Sequence, residues 1–290
     1  MVELSVLIPT YNRADSLDRV LDSLNNQTYE KSFQCIIADN CSSDETRNVV
    51  EKWKSKDKNF EIQYYKHEKV LLPIDNWESL ISRSDTKYSK FLFDDDWIKP
   101  TFIKDMISLL NLKNVDCVVS NIDIFVEKKS EERIVEEYFK LREGLLNFNN
   151  IIEHFTEEGP RINVSPSASI ILTEKMKEAF YYSLKNIECT KKVIGNDLVI
   201  NYFYLFNKGN VYYTNRSLAV CGAGDDSITV SEDDRVLFYC YLNTLIGLIS
   251  SFSIELSNNK KNKINKKIFI YKLRKLINPR YKKIMTNKLN

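Results

Sequence analysis

The chain has 290 residues, 43% hydrophobic and 12% aromatic, which suits one large packed domain, or one with an appendage, and argues against a disordered chain. The formal net charge of +2 hides an asymmetry: residues 259–290 hold twelve Lys/Arg and no Asp/Glu, leaving 30 basic against 40 acidic residues elsewhere. Six cysteines without CxxC spacing and two distant histidines argue against a zinc site and a disulfide framework and fit a reducing cytosol, and the N-terminus lacks the basic region of a secretory signal.

In chain order, Leu4 to Ile8 predicts a buried strand ended by Pro9. Thr10 to Arg13 is a turn, and Leu17, Val20, Leu21 and Leu24 repeat at helical spacing behind Asp15, the expected N-cap. Cys35 to Ala38 is a second strand. It stops at Asp39-Asn40-Cys41-Ser42-Ser43-Asp44, where Ser42 and Glu45 form a capping box for the helix carrying Val49, Val50 and Trp53. Ile62 to Tyr65 is a third strand, the segment around Trp77, Leu80 and Ile81 a third helix, and Lys90 to Phe93 a fourth strand, followed after Pro100 by an apolar-periodic helix. This alternation predicts βαβ units and a mostly parallel sheet.

The second half continues with two strands, Val115 to Ser120 and Ile122 to Val126, joined near Asn121, and a charged excursion over Lys128 to Glu137. Leu145, Phe148, Ile151, Ile152 and Phe155 suggest an amphipathic helix. Ser165 to Ser169 leads into a strand at Ile170 to Leu172, and Thr173 is placed to cap the helix of Met176 and Phe180. Asn196 and Asp197 open an apolar helix, two further strands lie at Val211 to Tyr213 and Leu218 to Val220, and Cys221 to Ser227 is a glycine-flanked loop suited to a lid or a plain turn. Val236 to Ile254 carries no charge, but its Asn, Thr, Gly and serines favour a helix packed on the domain over a membrane span. The basic stretch with Ile264, Ile268, Tyr271 and Leu276 forms an amphipathic helix suited to an anionic lipid surface. Nucleic-acid binding has no motif in its support.

The chemistry concentrates at Asp94-Asp95-Asp96, a carboxylate triplet at a strand end. Like charges side by side resist burial unless a cation joins them, and Mg²⁺ or Mn²⁺ favours carboxylate oxygen; a solvated acidic turn is the alternative. In parallel sheets ligands bind beyond the carboxyl ends of the strands, and Tyr11 to Arg13, Asp39 and the triplet all fall at such ends.

The ordered stretches Ser5 to Arg13, Ile37 to Thr46 and Phe91 to Pro100 resemble the signatures of family 2 glycosyltransferases, over roughly residues 1–225. The resemblance implies an α/β, Rossmann-like glycosyltransferase A-type fold with a C-terminal helical extension. It divides the chain into a catalytic domain at 1–225 (a nucleotide-sugar half at 1–120, an acceptor half at 121–225) and a helical region with a basic tail at 226–290. Donor-binding residues would be Pro9, Thr10, Tyr11, Asn12, Arg13, Asp39, Asp94 and Asp95, with Asp39 on the base and Arg13 on a phosphate. Asp95 and Asp96 would hold Mn²⁺ or Mg²⁺, and Asp197, second of a pair that is often Glu-Asp in the family, would be the general base. The pattern departs at Phe93, where many relatives carry an aspartate, at Asn196, and in lacking a histidine near the Gly222 loop. The expected activity is inverting, metal-dependent transfer of one sugar, from a UDP-sugar foremost, to a saccharide or lipid-linked saccharide acceptor in surface-polysaccharide assembly. The expected location is the cytoplasm, with peripheral contact at the inner membrane face. A nucleotidyltransferase, or a non-catalytic sugar-nucleotide-binding protein, is the alternative reading.

Overall fold

Short apolar runs that end in polar turns become strands here, and the parallel ones among them bring their last residues to a common edge. The computed structural model describes residues 2–128, 131–156, 159, 161–186, 193–223 and 234–277. The strands are β1 (Leu4–Thr10), β2 (Phe33–Asp39), β3 (Phe60–Lys66), β4 (Tyr88–Phe91), β5 (Trp97–Ile98), β6 (Cys117–Lys128), β7 (Glu131–Val135), β8 (Gly144–Leu146), β9 (Ser169–Leu172) and β10 (Val211–Gly222). The sheet runs β3-β2-β1-β4-β9-β6-β10-β5, with β7 on β6 and β8 on β10. Along that path only β9 and β5 oppose the common direction, which gives the mostly parallel sheet expected.

Two apolar layers cover the sheet. On one face lie α1 (Ala14–Asn25), α2 (Thr46–Lys54) and α4 (Phe102–Lys113), burying Leu17, Val20, Val50, Trp53, Phe102 and Met106 against β1, β2 and β4. The other face carries α3 (Pro73–Ile81), α5 (Phe148–Thr156), α6 (Thr173–Asn186), α7 (Asn196–Phe206), α8 (Asp234–Ser251) and α9 (Asn258–Ile277). Leu242, Leu245 and Leu248 of α8 and Ile264 of α9 share a core with α7 and β6, each full burial stabilising by about 1.5–3 kcal/mol. No helix among the described residues is long and apolar enough to cross a membrane.

Several local expectations are corrected. Strand β1 continues through Pro9 to Thr10, because Pro9 sits opposite Ala38 in the ladder with β2. The fourth strand is Tyr88–Phe91, two residues earlier than its apolar run suggested. The two strands expected around Asn121 are one, β6, and those around Asn215 are one, β10. Asn121 makes this continuity tolerable: its side chain bonds the backbone of Ile122 and Phe139, and the polar interruption in β10 is absorbed as register shifts between Thr214, Ser217 and Ala219. The charged excursion contains β7, paired antiparallel to β6, and Leu145 belongs to β8 instead of the helix that follows. Asp15 and the Ser42/Glu45 box do not cap. Asp44 does both tasks, accepting from Ala14 N (3.0 Å) at the start of α1 and from Thr46 N (3.1 Å) at the start of α2. Thr173 opens α6, but its hydroxyl bonds Ser89 at 2.7 Å.

Candidate functional site

The parallel register brings three chain ends together. Thr10 pairs with Asp39, and Leu7 with Phe91, so the loop after β1, the end of β2 and the triplet after β4 share one edge. Arg13 joins two of them: its Nη1 lies 3.2 Å from Asp94 Oδ1 and 3.0 Å from Asp95 Oδ2. Asn12 takes a left-handed conformation (φ 51°), which lets its N–H donate to Ser42 Oγ (2.9 Å) while its Oδ1 accepts from Ser43 N (2.8 Å). The β1 and β2 loops are therefore laced together. Tyr11 stays exposed between them, and Pro9 and Thr10 form the strand end beneath.

Asp39 is fully buried, Oδ1 accepting from Ser42 N (2.7 Å) and Oδ2 from the Tyr64 hydroxyl (2.5 Å). Burial and that bond to Asp39 hold the Tyr64 phenol above its ordinary range. Asn40 steadies the facing loop through a reciprocal pair with Leu71, 3.0 Å to its carbonyl and 2.8 Å from its N–H.

The three aspartates have different surroundings. Asp94 is 8% exposed, and burial pushes its carboxyl up to about 6 although Arg13 opposes the rise. Asp96 is 4% exposed, takes the Gly222 N–H on Oδ1 at 2.9 Å, and is likewise raised by burial. Asp95 keeps the most access, its side chain 30% exposed. Among the described residues no three His, Cys, Asp or Glu converge as a cage. Asp95, the most accessible of the three, suits a hard divalent ion, which binds through one or two carboxylates and completes its shell with water and phosphate oxygen; Arg13, 3.0 Å away, competes for the same oxygen.

The reading from sequence missed Lys90, Ser167 and Tyr64. Lys90, wholly buried behind the triplet, is held at about 7 by burial, against the pull of Asp96. Its signal was a lysine inside an apolar strand, between Tyr88 and Phe91. Asp197 opens α7, as expected from its spacing. Its Oδ1 accepts from Gly195 N (3.1 Å) and Leu198 N (3.0 Å), and the Tyr241 hydroxyl of α8 donates to Oδ2. Burial raises the Asp197 carboxyl to about 6 against these three donors. Helix α7 is tied to the segment leading to β9, since Asn201 bonds Ser169 Oγ (2.8 Å) and the Val164 carbonyl (3.0 Å). No hydrogen bond or ion pair between described residues joins Asp197 directly to the triplet. Asp225, Asp226 and the loop from Gly224 to Ser227 lie outside the described residues.

A family profile described as Glycosyl transferase family 2 matches residues 5–180, from β1 into α6. The chain belongs to that family. Among its relatives, abequosyltransferase RfbV of Salmonella typhimurium is 32% identical over 108 residues, 37% of this chain and 31% of RfbV. The GalNAc(5)-diNAcBac-PP-undecaprenol beta-1,3-glucosyltransferase of Campylobacter jejuni is 34% identical over 99 residues, 33% of this chain and 30% of that protein. The matches thus span under a third of each relative's length. The crystal structure of S. aureus TarS 1–349 in complex with UDP superposes with a TM-score of 0.64 at 17% identity, covering 92% of this chain and 71% of that one. At that identity the likeness is one of fold, the glycosyltransferase A-type α/β fold.

Proposed function

We propose that the chain is an inverting glycosyltransferase that moves one sugar from a nucleotide-diphosphate donor to a glycan acceptor in surface-polysaccharide assembly. The observation that carries this reading is the shared edge at which Arg13, Asp39 and the Asp94–Asp96 triplet meet. A uridine diphosphate donor is supported by the fold neighbours, whose structures hold UDP and UDP-GlcNAc. The acceptor class is supported by relatives named for transfer in cell-surface glycan synthesis, TarS as a poly(ribitol-phosphate) beta-N-acetylglucosaminyltransferase among them.

The residues divide the work. The Pro9 to Arg13 loop and Asp39 line the nucleotide, Asp39 accepting from the base and Asn12 holding the two loops in register. Arg13 offers a planar donor to a phosphate oxygen and offsets the charge of Asp94 and Asp95. Asp95 would hold Mn²⁺ or Mg²⁺, which when bound supplies Lewis-acid stabilisation to the departing diphosphate. Asp197 takes the proton from the acceptor hydroxyl as that oxygen attacks the anomeric carbon opposite the diphosphate, and one displacement inverts the configuration. A carboxyl at about 6 is ionised near neutrality yet basic enough to accept that proton. Residues 1–225 would form the catalytic unit, with 226–290 as a helical cover. The lysine-rich α9, with Phe269 65% exposed, would rest on an anionic membrane at the cytoplasmic side, where donor is available.

Release of UDP from UDP-GlcNAc, UDP-glucose and UDP-galactose by the purified chain, with Mn²⁺ and with chelator, tests the reading. Metal-dependent release is expected for at least one donor. Absence of both binding and release across a panel of nucleotide sugars would refute it.

A further inference from the structure

Helix α8 lies against the turn that opens α7, and the contact leaves no room for a side chain. Gly195, the residue before α7, has φ 96°, and a Cβ there would come 2.2 Å from Thr244 Oγ1 and 3.6 Å from the Cys240 carbonyl oxygen. Both residues belong to α8 and lie one turn apart, on the face that Tyr241 adjoins. Leu245 and Leu248, neither exposed to solvent, seat the same helix in the core it shares with α7. The Tyr241 ring packs on Phe155 of α5, with centres 6.4 Å apart, and its hydroxyl donates to Asp197 Oδ2. Burial, and then the carboxylate itself, raise the Tyr241 phenol above its ordinary range, so it stays protonated as a donor.

We infer that Tyr241 is a positioning residue for Asp197, so that α8 is a working part of the acceptor site as well as its cover. The inference rests on Asp197 being the base. Three donors share out its carboxylate: Gly195 N (3.1 Å) and Leu198 N (3.0 Å) hold Oδ1, and Tyr241 holds Oδ2. With Oδ1 taken by two backbone groups, Oδ2 is the oxygen left to accept a further proton. Tyr241 fills one of its lone pairs and thereby fixes where the other points. A base must lie within hydrogen-bond reach of the hydroxyl it deprotonates, so that direction decides which acceptor oxygen is served. The bond also favours the charged carboxylate against burial, which raises it to about 6. Cys240, beside Tyr241 on α8, acts on the phenol too, while His154 of α5 and Lys267 of α9 stand against the rings of Phe155 and Phe238.

The test compares wild type, Y241F, D197N, Y241F/D197N and L245V by thermal unfolding, by calorimetric titration of UDP with Mn²⁺, and by pH–rate profiles of UDP release from UDP-GlcNAc, UDP-glucose and UDP-galactose. Without the hydroxyl the Asp197 carboxyl holds its proton more tightly, so the acid limb near 6 should move up by about one pH unit in Y241F. Turnover should then be about tenfold lower near pH 5.5 and within about threefold of wild type near pH 8.5, with UDP affinity unchanged. Adding Y241F to D197N should cost no further turnover. L245V deletes a buried methylene of the same helix and should lower Tm about as far as Y241F, yet leave the limb in place. An unmoved limb in Y241F, an equal shift in L245V, or a further loss in the double variant would overturn the inference. If D197N releases UDP at near wild-type rate, or wild type releases none, the reading of Asp197 as base fails and Tm alone decides the pairing. Near pH 7.5 Y241F should cost about 2–4 °C in wild type and about half of that or less beside D197N, and equal costs would show that the two residues do not act together.

Discussion

Replacement of Asp197 by asparagine separates a catalytic from a structural role. Asparagine keeps an oxygen for the Gly195 and Leu198 N–H groups and leaves its amide to face the Tyr241 oxygen, so the start of α7 stays bonded. Proton acceptance is lost, and turnover should fall by roughly 10²–10⁴-fold with UDP affinity nearly unchanged. Stability should move the other way. A carboxyl raised from 3.8 to about 6 binds protons more tightly folded than unfolded, and the rise corresponds to about 3 kcal/mol, an upper figure for a group that is partly exposed. That contribution is complete below about pH 4, is lost as pH climbs through 6, and stays lost above it. The variant has no such loss, so its Tm should gain on wild type between pH 4 and 7. Wild-type turnover should rise with pH through a limb near 6 that the variant lacks. Paired thermal-unfolding and rate profiles across this range check both effects. A variant that loses stability at pH 7 yet transfers sugar at near wild-type rate would refute the reasoning and leave Asp197 as a helix-terminal structural residue.

Asp95→Ala should abolish the effect of Mn²⁺ on UDP binding in calorimetry while changing Tm little, because the side chain it removes is the most exposed of the triplet. Asp39→Ala removes the acceptor for Ser42 N and the Tyr64 hydroxyl, and should weaken UDP binding by about 1.5–3 kcal/mol, read as a shift in Kd. Replacing Lys261 and Lys266 of α9 by glutamate should reduce sedimentation with anionic vesicles, with about 1 kcal/mol lost for each positive charge removed, and high salt should reproduce the loss for wild type. Ile264, buried between α9 and the domain, is the reason to alter surface lysines there and not delete the helix.

The nucleotide half of the fold is legible because its strands are short apolar runs with polar stops, and each stop lands on the ligand edge. Asp39 and Asp94 to Asp96 could be placed by that rule alone. What lies beyond local pattern is legible only in part. Nothing in Ser169–Leu172 announces a strand that enters between β4 and β6 and runs against both, since its ladder partners, Tyr88 and Ser89 on one side and Cys117 to Val119 on the other, lie far away in sequence. The unity of β6 and of β10 is hidden by Asn121 and Asn215, residues that normally end strands and here sit at a bulge. Asp44 could not be seen to cap α1, because the bond crosses 30 residues of sequence. The partners of Lys90 are equally remote, Ser167 standing 77 residues away.

The lacing of the β1 and β2 loops has a consequence for how the domain opens. Asn12, Ser42, Ser43 and the shared cap at Asp44 connect segments that follow different strands and begin different helices. Neither loop can leave the sheet edge without taking donors from the other. Amide protons of Asn12, Ala14, Ser43 and Thr46 should therefore exchange with solvent as one cooperative set, at a single opening free energy, and a bound nucleotide should slow all four together.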